Sequence, residues 1–370
     1  MKKIVLLIFT AIIILFGVCV FIVVLISTAH NEIRVDQNKH LQQLHRINLG
    51  SEIVSTPKFL DNFIYVQTTK EIIAINESNW TVIWRTRCPG KITNIGFIIS
   101  KNELYAPDKE GNICQINLKN GLVDNVYQMP LSQNSISGTV DGLLVSNGKL
   151  IAAYDSLIVI SWDTDNGNEN WRFYPSEKTL IFISDNSNGI VSGMFDGIRI
   201  FSPYDGKIIS EHKTNHPVTW LSAINEDNII FATTKDGRST INIYNTDTNT
   251  ITNQAELSLD NIRCITEVDG GYFLSGNELI KLDQFLQMQY TNPKISNLGC
   301  VDHYLDYSFG MENSSSMVIF NQDTGEILSR HYFFSNTLQN NYLKLDPLLV
   351  NDRLVIPAGN KLWVYGFISD

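Results

Sequence analysis

The chain has 370 residues, 44% of them hydrophobic and 18% charged, the balance of a globular protein and not of a disordered one. Its formal net charge is −10, and Lys2 and Lys3 stand ahead of the first apolar run, so the remainder of the chain is more acidic still. An acidic body lacks the clustered Lys and Arg that phosphate backbones and anionic headgroups attract, which sets nucleic acid aside as a partner.

Ile4 to Ile26 contains no charged residue. Its length of about 23 residues spans a hydrocarbon core of about 30 Å and exceeds the 7–15-residue core of a cleavable signal peptide. The expected arrangement is a cytoplasmic tip over 1–3, a transmembrane signal-anchor helix over 4–27 and a linker over 28–44. Ser27 and Ala29 form a small-residue pair of the kind found at cleavage sites, so a secreted form is the alternative. Lys2 and Lys3 hold the N-terminus in the cytoplasm by the positive-inside rule. The expected localisation is therefore a single-pass membrane protein with a periplasmic or extracellular body. Val18 before Cys19 and apolar sequence after it do not suit a lipid-attachment cysteine.

Beyond the linker, an apolar strand, a polar turn and an alternating strand return eight times, from IYVQTTKEIIAIN to LVIPAGNKLWVYG. Seven of the units close on Asn76, Asn117, Asp163, Ser202, Asn245, Asp283 or Asn321; the eighth closes on Gly366. The mean spacing is about 41 residues, that of a four-stranded propeller blade. One blade cannot bury both its faces, so the units must stack around an axis. The predicted fold is all-β: an eight-bladed β-propeller of four-stranded blades over 45–370, preceded by one transmembrane helix.

The closing residues hydrogen-bond backbone two residues on and so start a turn. Four residues later come Gly121, Gly167, Gly206, Gly325 and Asn249, types that tolerate positive φ. Four further on lie Trp84 and Trp171. The last unit, from about Tyr342, has room for three strands. The segment His45–Ser51 is expected to supply the fourth and leave no open sheet edge.

The spacing Asp163, Gly167, Trp171 in IVISWDTDNGNENWRF, with Asn321, Thr324 and Gly325 in IFNQDTGEIL, resembles the PQQ-like (quinoprotein-like) propeller repeat. The resemblance implies that Trp84 and Trp171 dock on the hairpin of the next blade. It also implies two kinds of relative. Quinoprotein dehydrogenases hold pyrroloquinoline quinone with Ca²⁺, two adjacent cysteines and a catalytic Asp. No two cysteines are adjacent here and no acidic ligand cluster stands out, so no cofactor and no enzymatic activity are expected. The other branch comprises eight-bladed envelope scaffolds similar to the lipoprotein of the outer-membrane β-barrel assembly machinery. This chain is similar to them in length, blade count and export, and departs from them in its retained anchor.

Cys264 and Cys300 take the same place in the inner strands of consecutive repeats, where a disulfide and two separately buried thiols are both open. Cys88 and Cys114 would share their compartment. The pairs Cys300/His303 and His212/His216 lack the further ligands zinc needs, and Asp163, Asp165 and Asn166 lack the Glu of a Ca²⁺ loop, so no metal is expected. Asp302, His303 and Asp306 read as one compact acid–base group beside the axis, either a polar pocket or part of a hydrated channel. The functional expectation is a non-enzymatic, membrane-anchored scaffold for protein contacts in the cell envelope. A quinoprotein-type oxidoreductase and a small-molecule or glycan receptor using the axial pocket are the alternatives.

Overall fold

The computed structural model describes residues 41–93, 95–129, 140–155, 158–174, 182–186, 189–259, 262–312, 316–332 and 345–368. The expected tip, transmembrane helix and most of the linker lie outside the described residues. The first strand is Leu41–Asn48, so the last four residues of the segment read as linker over 28–44 lie in a sheet, with 41–43 paired and Leu44 at a bulge.

Eight four-stranded antiparallel sheets form the ring. Seven take their strands consecutively from the chain. Blade 1, for example, comprises Lys58–Leu60, Phe63–Gln67, Ile72–Asn76 and Thr81–Thr86, counted from the axis outwards. Blade 8 joins the chain's two ends. Leu348–Val350, Arg353–Ala358 and Lys361–Phe367 are completed by Leu41–Asn48, with Leu41 opposite Phe367 and Asn48 opposite Lys361. That pairing closes the ring and covers the edge of the last strand.

The two middle strands of each blade are covered on both faces, so they read as nearly continuous apolar runs. Ile64, Val66, Ile72, Ile73, Ala74 and Ile75 are all fully buried. Outer strands are largely exposed, as in Thr81–Thr86, where only Trp84 is partly covered and only Thr86 is buried. The core is divided around the ring, with an apolar wedge filling each gap between neighbouring blades. Tyr65, Ile72 and Ala74 of blade 1 meet Leu104, Ala106 and Cys114 of blade 2. On its other face Ile64, Val66, Ile73 and Ile75 meet Val355, Leu362 and Val364 of blade 8. Each fully buried Ile or Val stabilises the ring by about 1.5–3 kcal/mol.

Antiparallel order gives the ring two different faces. Hairpins between first and second and between third and outer strands lie on one, the hairpin face. Hairpins between the middle strands and the blade-to-blade connections lie on the other, the connector face. Because Leu41 pairs with Phe367, the chain enters the propeller from the hairpin face.

Candidate functional site

Two regions gather polar chemistry: the seams between blades and the axial mouth on the connector face. At the seams, each closing residue caps the turn after it. Asn76 Oδ1 accepts the Ser78 N–H (2.9 Å), Asn117 Oδ1 that of Lys119 (3.1 Å) and Asp163 Oδ1 that of Asp165 (3.0 Å). Ser202, Asn245, Asp283 and Asn321 do the same in their own blades. Lys149 Nζ, 2.7 Å from Asp163 Oδ2, holds that carboxyl below the usual carboxylate range.

The turn then needs a left-handed residue, supplied by Gly121, Gly167, Gly206, Gly325 and Asn249. At all four glycines the missing side chain also makes room for a residue of the preceding blade, and at three of them that residue is aromatic. Trp84 packs on Gly121 and donates Nε1–H to the Leu118 carbonyl (2.9 Å). Trp171 packs on Gly206 and donates to the Pro203 carbonyl (3.0 Å). Tyr290 packs on Gly325 and donates its hydroxyl to the Gln322 carbonyl (2.9 Å).

Tyr290 is not found by the sequence spacing because the blade 6 turn is one residue shorter. Leu286, not a glycine, takes the left-handed position there, which moves the docking residue from eight to seven places after Asp283. Counting eight from Asn117, Ser202 and Asn245 finds smaller polar groups in the same role. Asn125 lies against Gly167, Ser210 donates to Asn249 Oδ1, and Asn253 donates to the Gln284 carbonyl (3.4 Å).

At the axial mouth the structure brings Cys264 and Cys300 together, with sulfurs 2.11 Å apart and Cα atoms 5.1 Å apart, linking blades 6 and 7. Cys88 and Cys114 also meet, with Cα atoms 6.1 Å apart, in the wedge between blades 1 and 2. Next to Cys300 stands Asp346, a residue without a sequence motif. Asp346 Oδ1 accepts the Cys300 N–H at 3.0 Å, and the Asp346 N–H donates to Thr56 Oγ1 at 3.1 Å. Val301 N–H donates to Thr266 Oγ1 (3.3 Å), so a chain of contacts runs from blade 6 through 7 and 8 to blade 1. Burial, with the Asp302 charge as a smaller contribution, pushes the Asp346 carboxyl up to about 6. Its only sequence context is a lone Asp before Pro347, which carries no signal.

Asp302, His303 and Asp306 do not form one group. Asp302 and His303 lie on the inner strand Asp302–Tyr304, whereas Asp306 sits in the turn beyond it, on the hairpin face. Asp302 Oδ1 accepts the backbone N–H of His303 (2.8 Å), and the Asp306 carbonyl accepts the N–H of Gln322 (3.1 Å). His212 packs against Phe231 and Tyr244, and burial lowers its pKa. The neighbouring His216 carbonyl accepts the Thr214 hydroxyl (2.7 Å), which is a local turn contact.

The family described as outer membrane protein assembly factor BamB matches residues 36–186. No curated protein matches the chain in sequence. Among solved structures, BamB from Moraxella catarrhalis is 14% identical with a TM-score of 0.64, covering 88% of this chain and 100% of that one. The computationally designed Ika8 protein is 13% identical with a TM-score of 0.67, over 90% and 100%. Quinohemoprotein alcohol dehydrogenase from Comamonas testosteroni is 11% identical with a TM-score of 0.66, over 91% and 78%. At these identities the structural likeness speaks for the fold, and any activity has to come from the residues themselves.

Proposed function

We propose that this chain, a PQQ-like β-propeller, is a non-enzymatic scaffold that holds protein partners at the cell envelope, anchored by its N-terminal apolar segment with the propeller exported. The observation that carries the reading is the locking of its turns. Trp84, Trp171 and Tyr290 each pin the hairpin of the next blade, so the loops stand on a rigid ring and present broad, preorganised surfaces. The match of residues 36–186 to an assembly-factor family supports the same reading.

The likeness to a quinohemoprotein dehydrogenase gives the second reading, a quinoprotein-type oxidoreductase. The residues at the axial mouth do not fit pyrroloquinoline quinone. The acidic side chains of Asp302 and Asp346 stand there, which is unfavourable for an anionic quinone, and the disulfide joins residues of two blades, not neighbouring residues. Crosslinking in native membranes followed by mass spectrometry tests the scaffold reading, with one or a few stable protein partners expected. Quinone-dependent dye reduction by the purified chain with an alcohol or sugar would overturn it. Protease added to intact cells or spheroplasts should reach the propeller; digestion only after the inner membrane is lysed would overturn the orientation.

A further inference from the structure

We infer that the hairpin face across blades 5 to 8 and blade 1 docks a basic protein segment carrying apolar anchors. This inference rests on the scaffold reading and names the face and the chemistry of the partner. Two independent features of that face carry it.

The first is apolar residues that the fold does not use. Leu305 is 73% exposed and Phe285 60% exposed, in the turns of blades 7 and 6 on this face. Leu305 holds a left-handed backbone (φ 54), at a turn position where other blades place Asp61, Lys101, Asn147 and Asn351. Asn and Asp tolerate that conformation far better than Leu. A Leu that is both strained and solvated adds nothing to packing, so its reason lies outside the ring. In blade 6 the turn buries Leu286 and turns Phe285 outwards, with Met288 exposed three residues on.

The second feature is charge. Glu226, Asp247, Asp269, Asp306, Asp323 and Asp352 stand at turns of this arc, and its described turns contain no Lys or Arg. From the strands behind, Lys281 reaches Asp323 (3.3 Å), and Arg353 reaches Glu77 of blade 1 (3.5 Å) and Asp352 (3.8 Å); acids still outnumber these two bases along the arc. Elsewhere on this face bases interrupt the acids in blade 2 (Lys101 and Lys119) and blade 4 (Lys207), while the blade 3 turns carry Asp165 and no base. The connector face intersperses Lys70, Arg87, Lys91 and Lys109 with its acids.

An acidic arc repels anionic headgroups and phosphates and steers a Lys- or Arg-rich partner, while the exposed Phe and Leu provide the anchors that association needs. The field fixes the sign of the partner, and the apolar side chains fix where it would seat.

The test uses the full-length chain in its own membranes, with p-benzoylphenylalanine introduced at Phe285 or Leu305 and, on the connector face, at Phe195, which is 53% exposed. Photocrosslinks from 285 and 305 to a protein segment of net positive charge with apolar residues are expected. The double variant D269K/D306K should reduce their yield about tenfold, whereas D196K should leave it unchanged. With the crosslinker at 285, L305N should lower the yield while raising the melting temperature, because Asn relieves the left-handed turn. Crosslinks from Phe195 alone would leave the scaffold reading standing and overturn this face. Adducts at 285 and 305 only to lipid or to acidic segments would overturn the partner's chemistry. No protein crosslink at any of the three positions would count against the scaffold reading as well.

Discussion

Trp80 and His45 stack with ring centroids 5.5 Å apart and planes 25° from parallel, across the seam where the chain's first strand meets blade 1. At the seams held by Trp84, Trp171 and Tyr290, an aromatic from an outer strand lies on a glycine of the next turn. Here the turn itself supplies the aromatic. Trp80 occupies the left-handed position (φ 59) four residues after Asn76, and the Arg353 guanidinium lies 5.7 Å from its ring. The closing seam is thus built the opposite way round from those three. It lies in a wedge containing Leu49, Ile53, Val355 and Val364.

This inversion makes an unusual order of variants. Trp80→Ala removes a buried indole, at a cost of about 3–5 kcal/mol, and leaves an L-residue in the left-handed region. Trp80→Gly loses the same packing but relieves the backbone, so it should be the more stable of the two by about 1 kcal/mol. Urea unfolding of both variants checks the order. Ala more stable than Gly would show that the turn does not keep its left-handed geometry without the indole.

The first strand is expected to be indispensable. Removing residues through Ser51 uncovers the whole edge of Lys361–Phe367 and empties part of the closing wedge, including Leu49. The truncated chain should lose its cooperative melt, and a peptide of residues 41–51 added in trans should restore part of it. A truncation that melts like the intact propeller would mean the ring closes without this strand.

The period of about 41 residues is legible in the sequence because every blade needs the same capped turn, and Asn, Asp and Ser at fixed phase report it. Blade count and strand number come from that alone. The docking partners at most seams are not legible. The position tolerates Trp84, Asn125, Ser210 or Tyr290, because what the seam requires is a donor or flat surface at that place and not one residue type. The strand start at Leu41–Gln43 is hidden because Gln42 and Gln43 have no alternation to read; the register with Lys361–Phe367 holds them. Asp346 is hidden because its burial comes from three blades meeting, which no local pattern encodes.

The Trp171–Gly206 contact can be weighed by a double-mutant cycle. A Cβ on Gly206 would lie 2.6 Å from the Trp171 ring at φ +67, so Gly206→Ala incurs both a clash and backbone strain. The single variant should be destabilised by about 2–4 kcal/mol. In a Trp171→Ala background only the strain remains, about 1 kcal/mol. Equal costs in both backgrounds would show that the indole does not press on this turn.

The link between blades 6 and 7 should matter in an oxidised sample. Cys264 and Cys300 are 36 residues apart, and a loop of that size contributes about 3–4 kcal/mol through the unfolded chain. The double variant C264A/C300A should melt lower than the oxidised protein and become insensitive to reductant at that position. Intact mass after alkylation under denaturing, non-reducing conditions gives an independent readout: free thiols at both positions would sink the assignment.

Asp346 sets the sign of a pH dependence. Its carboxyl is raised to about 6 by burial, well above its ordinary value of 3.8. A group raised in the folded state penalises the folded ion. Its contribution is most favourable below the ordinary value and is lost as pH rises through about 6. From this residue alone, stability should fall between pH 4 and pH 7 by roughly 2–3 kcal/mol. Asp346→Asn keeps an oxygen for the Cys300 N–H and removes the titration. The variant should therefore show a flatter profile over that range and a higher melting temperature at pH 7 than the parent. Melting curves at pH 4, 5, 6 and 7 for both proteins decide it. Parallel profiles would mean that the carboxyl is solvated when ionised and that the contact with Cys300 does not depend on its charge.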